Sequence, residues 1–244
     1  MVLWRSENDA QGANDGIMRH LFQPLYHISS EGQELIGYEA LVRFDGIDTS
    51  AGLAVLRSRG IDALRAFDCA SATSAIASAR QWLMPGVALF LNLTHATVGH
   101  VIDDGSLPES DNPIVWELLE DPETTALLTR PGVLDGLASR FTLALDDVGA
   151  GCADLQRLAA AVHAGVTWIK ADKSIVQGCA QDKGKVAVLR AIAGLGVRVI
   201  AEGVEDEADL DVIRAAGIAY AQGFVLGRPD ESPLITQERL LARV

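Results

Sequence analysis

Cysteine is scarce in this chain: three residues in 244, at positions 69, 152 and 179, far apart and with no CxxC pair. That spacing excludes a disulfide framework and a structural zinc site, and it leaves free thiols in a reducing cytoplasm as the expectation. No apolar run reaches the roughly 18 residues of a membrane span, and the opening MVLWRSENDAQGANDG turns polar too early for a signal peptide. Basic residues are also short, 20 Lys and Arg against 33 Asp and Glu, for a formal net charge of −13. Interfaces to nucleic acid polymers are built from Lys and Arg that displace counterions, so that partner class is excluded. An acidic balance of this kind means either a solvated acidic surface or a metal site. No Pro/Gly/Ser-rich linker divides the chain, and a hydrophobic content of 49% suffices for one barrel-sized core.

Two textures alternate along the sequence. Eight short runs rich in β-branched and apolar residues, LFQPLYHI, ELIGYEALVRF, VALFLNLT, IVWELLE, FTLALDDV, TWIKAD, RVIAEGV and YAQGFVLG, are separated mostly by Ala/Leu-rich stretches with helical spacing. Gly165, Gly196 and Gly217 follow helical patterns where a C-terminal cap wants glycine. Only the first two runs are joined by a short polar turn, SSEGQ, which predicts an antiparallel hairpin followed by repeated strand–helix units. The expected fold is therefore α/β, a TIM-like (β/α)8 barrel with an antiparallel first strand.

The run YEALVRF carries the first functional signal. In an extended strand Glu39, Leu41 and Arg43 share one face while Tyr38, Ala40 and Val42 share the other, so two charges enter an otherwise interior strand. Buried charges need each other, a metal or a ligand. Asn92, Glu117, Asp146 with Asp147, Lys170 with Asp172, Glu202 and Gln222 fall in or near the ends of the later strands, and a barrel gathers such ends at one mouth. Taken singly, each has a structural reading. A strand-end acid can cap the next helix, Asn92 can start a turn, Lys170 and Asp172 can pair, and Asp147 can hold the backbone of the following glycine turn. Recurrence on nearly every strand favours a shared site. His95 and His163 stand alone and are not read as ligands.

Four carboxylates at one mouth, Glu39, Glu117, Asp146 and Glu202, with Asp147 adjacent, raise one another's pKa until a proton or a cation enters. An all-oxygen donor set suits Mg2+ or Mn2+, and two such ions about 4 Å apart, bridged by an aspartate, are the usual arrangement for in-line attack at a phosphodiester. Lys170 would then hold a phosphate oxygen or the attacking water. Ca2+, with longer bonds and looser geometry, is expected to bind the same carboxylates and inhibit.

These residues carry a resemblance. FQPLYHISSEGQELIGYEALVRF, LNLT, ELLE, LALDDVGAGCADL, WIKADKSIV, VIAEGVED and AQGFVLGRP, in that order, resemble the motifs of the EAL domain, a bacterial phosphodiesterase family that hydrolyses the second messenger cyclic di-GMP. The likeness runs from about residue 20 to about residue 230. It implies first-metal ligands at Glu39, Asn92, Glu117 and Asp146, and a second metal shared by Asp146, Asp147 and Glu202. It further implies Lys170 as the residue that positions the water. Gln23, Leu41 and Arg43 are implied as substrate contacts, with Arg43 directed at phosphate. Asp172, Glu205 and Gln222 complete the substrate side, and Glu120 braces the loop after the paired aspartates.

The chain departs from the family pattern in places. Ala150 and Cys152-Ala153-Asp154 replace the usual Thr and Tyr-Ser-Ser of that loop, and Leu119 replaces a common Thr. The stretch from Leu155 to Lys170 is longer than usual, and DTSAGLAVLRSRGIDALRAFD lacks the helix signature expected after the first motif. None of these changes touches an implied ligand. The expected domain layout is a partly flexible N-terminal segment at 1–19 and the barrel at 20–244. The expected activity is hydrolysis of cyclic di-GMP to linear pGpG, with a non-catalytic cyclic di-GMP receptor as the alternative. A homodimer and a regulatory protein partner are the further partners implied, and no membrane contact is expected.

Overall fold

The computed structural model describes residues 2–3, 17–103, 106–119, 122–149 and 155–231. A two-residue strand β1 (Val2–Leu3) lies antiparallel on the start of β2 (Ile17–Ile28), which turns back into β3 (Gln33–Phe44). From β3 onward every neighbour is parallel: β4 (Ala88–Leu93), β5 (Ile114–Leu118), β6 (Thr142–Val148), β7 (Trp168–Ala171), β8 (Arg198–Ala201) and β9 (Tyr220–Ala221). A closing pair between β2 and β9 makes β2–β9 a closed barrel of eight strands. The seam is narrow, Tyr26 against Ala221 and His27 against Tyr220, whereas β2 and β3 share eleven register pairs. Further along, Phe22 and Asp230 exchange backbone hydrogen bonds of 2.8 and 3.1 Å.

The eight expected strands and the antiparallel hairpin are all present, although the last strand keeps only two residues of the expected run. The turn glycines behave as the pattern predicts: Gly165, Gly196 and Gly217 have φ of 106°, 75° and 90°. One expectation is corrected. The stretch after the first motif is helical, as α1 (Thr49–Ser58) and α2 (Ile61–Ala79). Asp48 starts α1 by accepting from the amides of Ser50 and Ala51. The buried face of α2 mixes small residues, Ala72, Ala75 and Ala79, and the acid Asp68 with Leu64, Phe67 and Ile76, which reads poorly as an apolar stripe.

The remaining helices are α3 (His95–Asp103), α4 (Pro122–Leu128), α5 (Val133–Ala138), α6 (Leu155–His163), α7 (Lys173–Val176), α8 (Lys183–Ala193) and α9 (Glu207–Ala215), with a 3-10 turn at Cys179–Gln181. They cover the outside of the barrel in two apolar clusters, one around Tyr38, Leu91, Trp116 and α2, the other around Ile169, Val199, Leu189 and Ile213. The interior holds its own cluster of Leu25, Phe90, Val115, Ala144, Trp168 and Ile200. Phe90 and Trp168 meet edge to face at 5.6 Å, and Trp168 and Tyr220 at 4.9 Å. Gly37 makes room for this layer, since a Cβ there would lie 2.9 Å from the Phe90 ring. Burying these side chains contributes roughly 1.5–3 kcal/mol each. The layer is the floor on which the polar site stands.

Of the expected N-terminal segment at 1–19, residues 2–3 and 17–19 are strand, and residues 1 and 4–16 lie outside the described residues. Among the described residues no helix is long and apolar enough to cross a membrane. Cys179 is buried and Cys69 half-buried, both free thiols, and Cys152 lies outside the described residues.

Candidate metal centre

Strand periodicity places the site. Two residues beyond each floor residue the same inward face carries a polar group: Asn92 after Phe90, Glu117 after Val115, Asp146 after Ala144, Lys170 after Trp168, Glu202 after Ile200, Gln222 after Tyr220. Glu39 follows Gly37, and Gln23 stands opposite Glu39 across the hairpin. The eight strands therefore deliver eight polar side chains to one level of the barrel, at the C-terminal ends of its parallel strands.

Lys170 is at the centre. Its ammonium, 1% exposed, lies 2.7 Å from Glu117 Oε1, 2.9 Å from Asp146 Oδ1, 2.9 Å from Glu202 Oε1 and 3.3 Å from Glu39 Oε1. The expected alternative of a Lys170–Asp172 pair is not what forms. Asp172 caps α7 by accepting from the Ser174 amide at 2.8 Å. Four acids around one ammonium hold Lys170 charged well above the usual lysine range, against the opposing effect of burial. Glu117 and Glu202 move the other way: burial raises both carboxyls well above the usual range, although the Lys170 charge opposes it. Asp146 is raised by burial as well. For Glu39 burial is outweighed by the Lys170 charge with hydrogen bonds from Gln222, Lys170 and Asn92, and its carboxyl is lowered.

The amide side chains orient Glu39. Gln222 Nε2 donates to Oε2 at 2.8 Å and Asn92 Nδ2 to Oε1 at 3.4 Å. Gln222 is itself fixed by the backbone, because Gly223 packs so closely on Val204 that a Cβ would come within 2.2 Å of its amide nitrogen. The Val204 amide donates to the Gln222 carbonyl at 3.1 Å.

Asp147 needs a special backbone. Adjacent strand residues point to opposite faces, yet Asp146 and Asp147 offer oxygens to one group. The register shifts between Leu145 and Val148, and Asp147 has φ of 56°, the left-handed region that aspartate tolerates better than most residues. The bulge turns its carboxylate back to the mouth. Burial, followed by the Asp146 charge, raises that carboxyl.

Two sets of acids can hold a cation: Glu39, Glu117 and Asp146 in one, Asp146, Asp147 and Glu202 in the other, each with oxygens within 4.8 Å of one another. Both carboxylate oxygens of Glu117 and Oδ1 of Asp146 are buried with no hydrogen-bond partner, the Lys170 contacts being close but poorly aligned. Buried carboxylate oxygens in this condition fit a hard divalent ion.

A cavity of about 420 Å³ opens onto this layer, lined by Gln23, Glu39, Asp147, Asp172, Glu202, Glu205, Gln222 and others. Leu41 and Arg43 continue past Glu39 on the same face of β3. Arg43 is about 13 Å farther along the strand, and its Nη1 donates to the Val42 carbonyl. Glu205 is exposed and accepts from Gln177 Nε2 at 3.1 Å, which also donates to the Gly203 carbonyl. Glu120 lies outside the described residues, as do the substituted positions 150–154. Sequence reasoning missed Gln177, Lys173 and Phe224, which line the same cavity. It also missed Asp68, whose Oδ2 accepts from the Thr94 amide, the Thr94 hydroxyl and the Thr97 hydroxyl at 2.9, 2.8 and 2.6 Å, anchoring the end of β4 just beyond Asn92. Phe224 sits in the mixed run AQGFVLGRP, where nothing in the sequence marks it as lining a site. A second cavity, about 350 Å³ and apolar, lies behind β5 and β6 among α4, α5 and α6, away from the charged layer.

With the fold and charged layer in place, the sequence profile of the EAL domain family matches residues 8–229. The chain belongs to the EAL domain family. Oxygen sensor protein DosP of Escherichia coli is 38% identical over 91 residues, which make up 36% of this chain and 11% of that protein. Cyclic di-GMP phosphodiesterase PdeB of Shewanella oneidensis is 32% identical over 127 residues, 49% of this chain and 14% of that protein. This EAL chain thus spans about a seventh or less of the length of these two curated relatives. Among solved structures, the calcium and cyclic di-GMP complex of Klebsiella pneumoniae BlrP1 matches with a TM-score of 0.71 at 26% identity, covering 87% of this chain and 56% of that one.

Proposed function

We propose that this EAL barrel, taken as residues 20–244, is a metal-dependent phosphodiesterase that hydrolyses cyclic di-GMP to linear pGpG in the cytoplasm. The observation that carries the reading is the charged layer itself: two overlapping carboxylate groups share Asp146 and surround one buried lysine at the mouth of the barrel.

Glu39, Asn92, Glu117 and Asp146 would hold one ion, and Asp146, Asp147 and Glu202 a second. When bound, two Mg2+ or Mn2+ ions would polarise the phosphodiester as Lewis acids and lower the pKa of a water. The chain's own residues do the rest. Gln222 and Asn92 fix the orientation of Glu39, so the first group is set before substrate arrives. Lys170 supplies a fixed positive charge and three donors for the attacking water or a phosphate oxygen. Arg43 meets phosphate with a planar two-pronged donor, and Gln23, Leu41, Asp172 and Glu205 line the approach. In this reading Glu120, outside the described residues, is the brace for the loop after Asp147. A homodimer and a regulatory partner belong to the same reading.

The test is a product time course on cyclic di-GMP with Mg2+, Mn2+ or Ca2+ alone, then with Ca2+ titrated into a Mg2+ reaction, products separated by ion-exchange chromatography. Linear product is expected with Mg2+ and Mn2+, with Ca2+ supporting binding and inhibiting turnover. Equal rates in Ca2+, or full activity after exhaustive chelation, refutes the two-ion reading. Tight binding with no turnover in any ion makes the chain a receptor.

A further inference from the structure

We propose that the Lys170 ammonium is the resident counter-ion of this centre and opposes divalent cations at its carboxylates, so that a metal loads the site against a fixed positive charge. The inference rests on the metal-dependent reading above and adds a control on it.

The contacts carry it. Lys170 Nζ lies within 3.3 Å of all three acids of the first group, Glu39, Glu117 and Asp146, and within 2.9 Å of two acids of the second, Asp146 and Glu202. One charged group therefore occupies both sets at once, through the acid they share. Asp147, the exposed member of the second set, is outside its reach among these ion pairs. Lys170 is fully buried beneath the mouth, on the strand between Asp146 and Glu202, and Trp168 fills the floor two residues below it. It cannot leave for solvent without opening the barrel. A divalent ion drawn to the same oxygens meets a unit positive charge a few ångströms away, and even at an effective dielectric near 20 such a pair interacts strongly. The ammonium also stabilises the metal-free chain, because it offsets the mutual repulsion of the buried acids. Lys170 thus stabilises the empty centre and weakens the loaded one, which makes metal affinity lower than the carboxylates alone would give.

The experiment compares the full chain with Lys170→Met, which keeps length and removes charge, both stripped of metal with chelator. Calorimetric titration with Mn2+ is expected to show at least about tenfold tighter binding in the variant. The metal-free variant melts lower than the metal-free parent, and Mn2+ raises its melting temperature by more. Equal or weaker Mn2+ affinity in Lys170→Met overturns the inference, whatever the melting shows. If the variant does not fold, the parent itself decides. With 15N-labelled lysine, the slowly exchanging Lys170 ammonium resonance should shift in proportion to bound Mg2+, and an unchanged resonance while Mg2+ binds overturns it. Equal binding by parent and variant sinks only this inference, whereas no binding by either sinks the metal-dependent reading with it.

Discussion

Two layers of the barrel interior, two residues apart on the same strands, are built on opposite principles. The lower one, Leu25, Phe90, Val115, Ala144, Trp168 and Ile200, fills space with apolar side chains and gains from every contact. The upper one crowds four acids round one ammonium and leaves buried carboxylate oxygens without hydrogen bonds. Six of the eight barrel strands carry a residue of each, so only two positions along a strand separate the two layers. The lower layer supplies the packing energy that lets the upper one exist in a state unfavourable for folding, as a site held ready for a ligand requires.

The sharpest way to break this contrast is Glu39→Ala. It should reduce turnover of cyclic di-GMP by about 10³-fold or more, on the scale of losing a preorganised electrostatic group, while the urea midpoint of the metal-free chain moves little. Near-parental rates would remove the proposed site. Trp168→Ala is the mirror experiment in the floor. It should cost about 3–5 kcal/mol in urea denaturation and, in the folded fraction, leave Mn2+ stoichiometry intact. Loss of Mn2+ binding without loss of stability would reverse the roles given to the two layers.

His20, outside both layers on the other face of β2, sharpens the comparison at lower cost. It is buried, its Nδ1 has no partner, and burial lowers its pKa from 6.5 to about 4. The folded pKa is depressed, so its contribution is fully present above pH 6.5 and is lost as pH falls towards 4. The parent should therefore lose up to ~3 kcal/mol over that window, and His20→Gln should flatten this part of the stability–pH curve. An unchanged curve would show that His20 is solvated. The smallest effect is expected at Asp68, a buried acid held by hydroxyls and an amide where the upper layer uses a lysine. Burial raises its pKa, so it favours folding at acid pH and loses that contribution as pH rises through the folded value. Asp68→Asn keeps an oxygen for the three donors and should change stability at neutral pH by less than about 1 kcal/mol. A larger loss would mean that the charge itself holds Thr94 and Thr97.

The eight strand runs were legible because each couples β-branched texture to a polar residue near its end, and the barrel follows from that repetition. The polar layer was legible for the same reason: Asn92, Glu117, Asp146, Lys170, Glu202 and Gln222 each break an apolar run. What escaped reading depends on local backbone or on small side chains. The α2 helix was hidden because its buried face mixes three alanines and the acid Asp68 with Leu64, Phe67 and Ile76, which blurs the apolar stripe. The joint orientation of Asp146 and Asp147 was hidden because strand alternation forbids it until a bulge and a left-handed residue intervene. The fourfold embrace of Lys170 could not be ranked against an Asp172 pair, since sequence spacing favours the nearer acid and only closure of the ring brings in the distant ones.

That ring is closed unequally. Two residue pairs join β2 to β9, and past them the chain from Gly223 leaves the sheet before Asp230 returns to Phe22. Local opening of a protein follows its thinnest set of cooperative hydrogen bonds, so amide exchange should report the first breach along this line while the hairpin stays protected. Gln23 and Gln222 stand on either side of it. A transient parting here would release Gln222 from Glu39 and widen the mouth without unfolding any other strand, giving the barrel a zip beside its buried carboxylates.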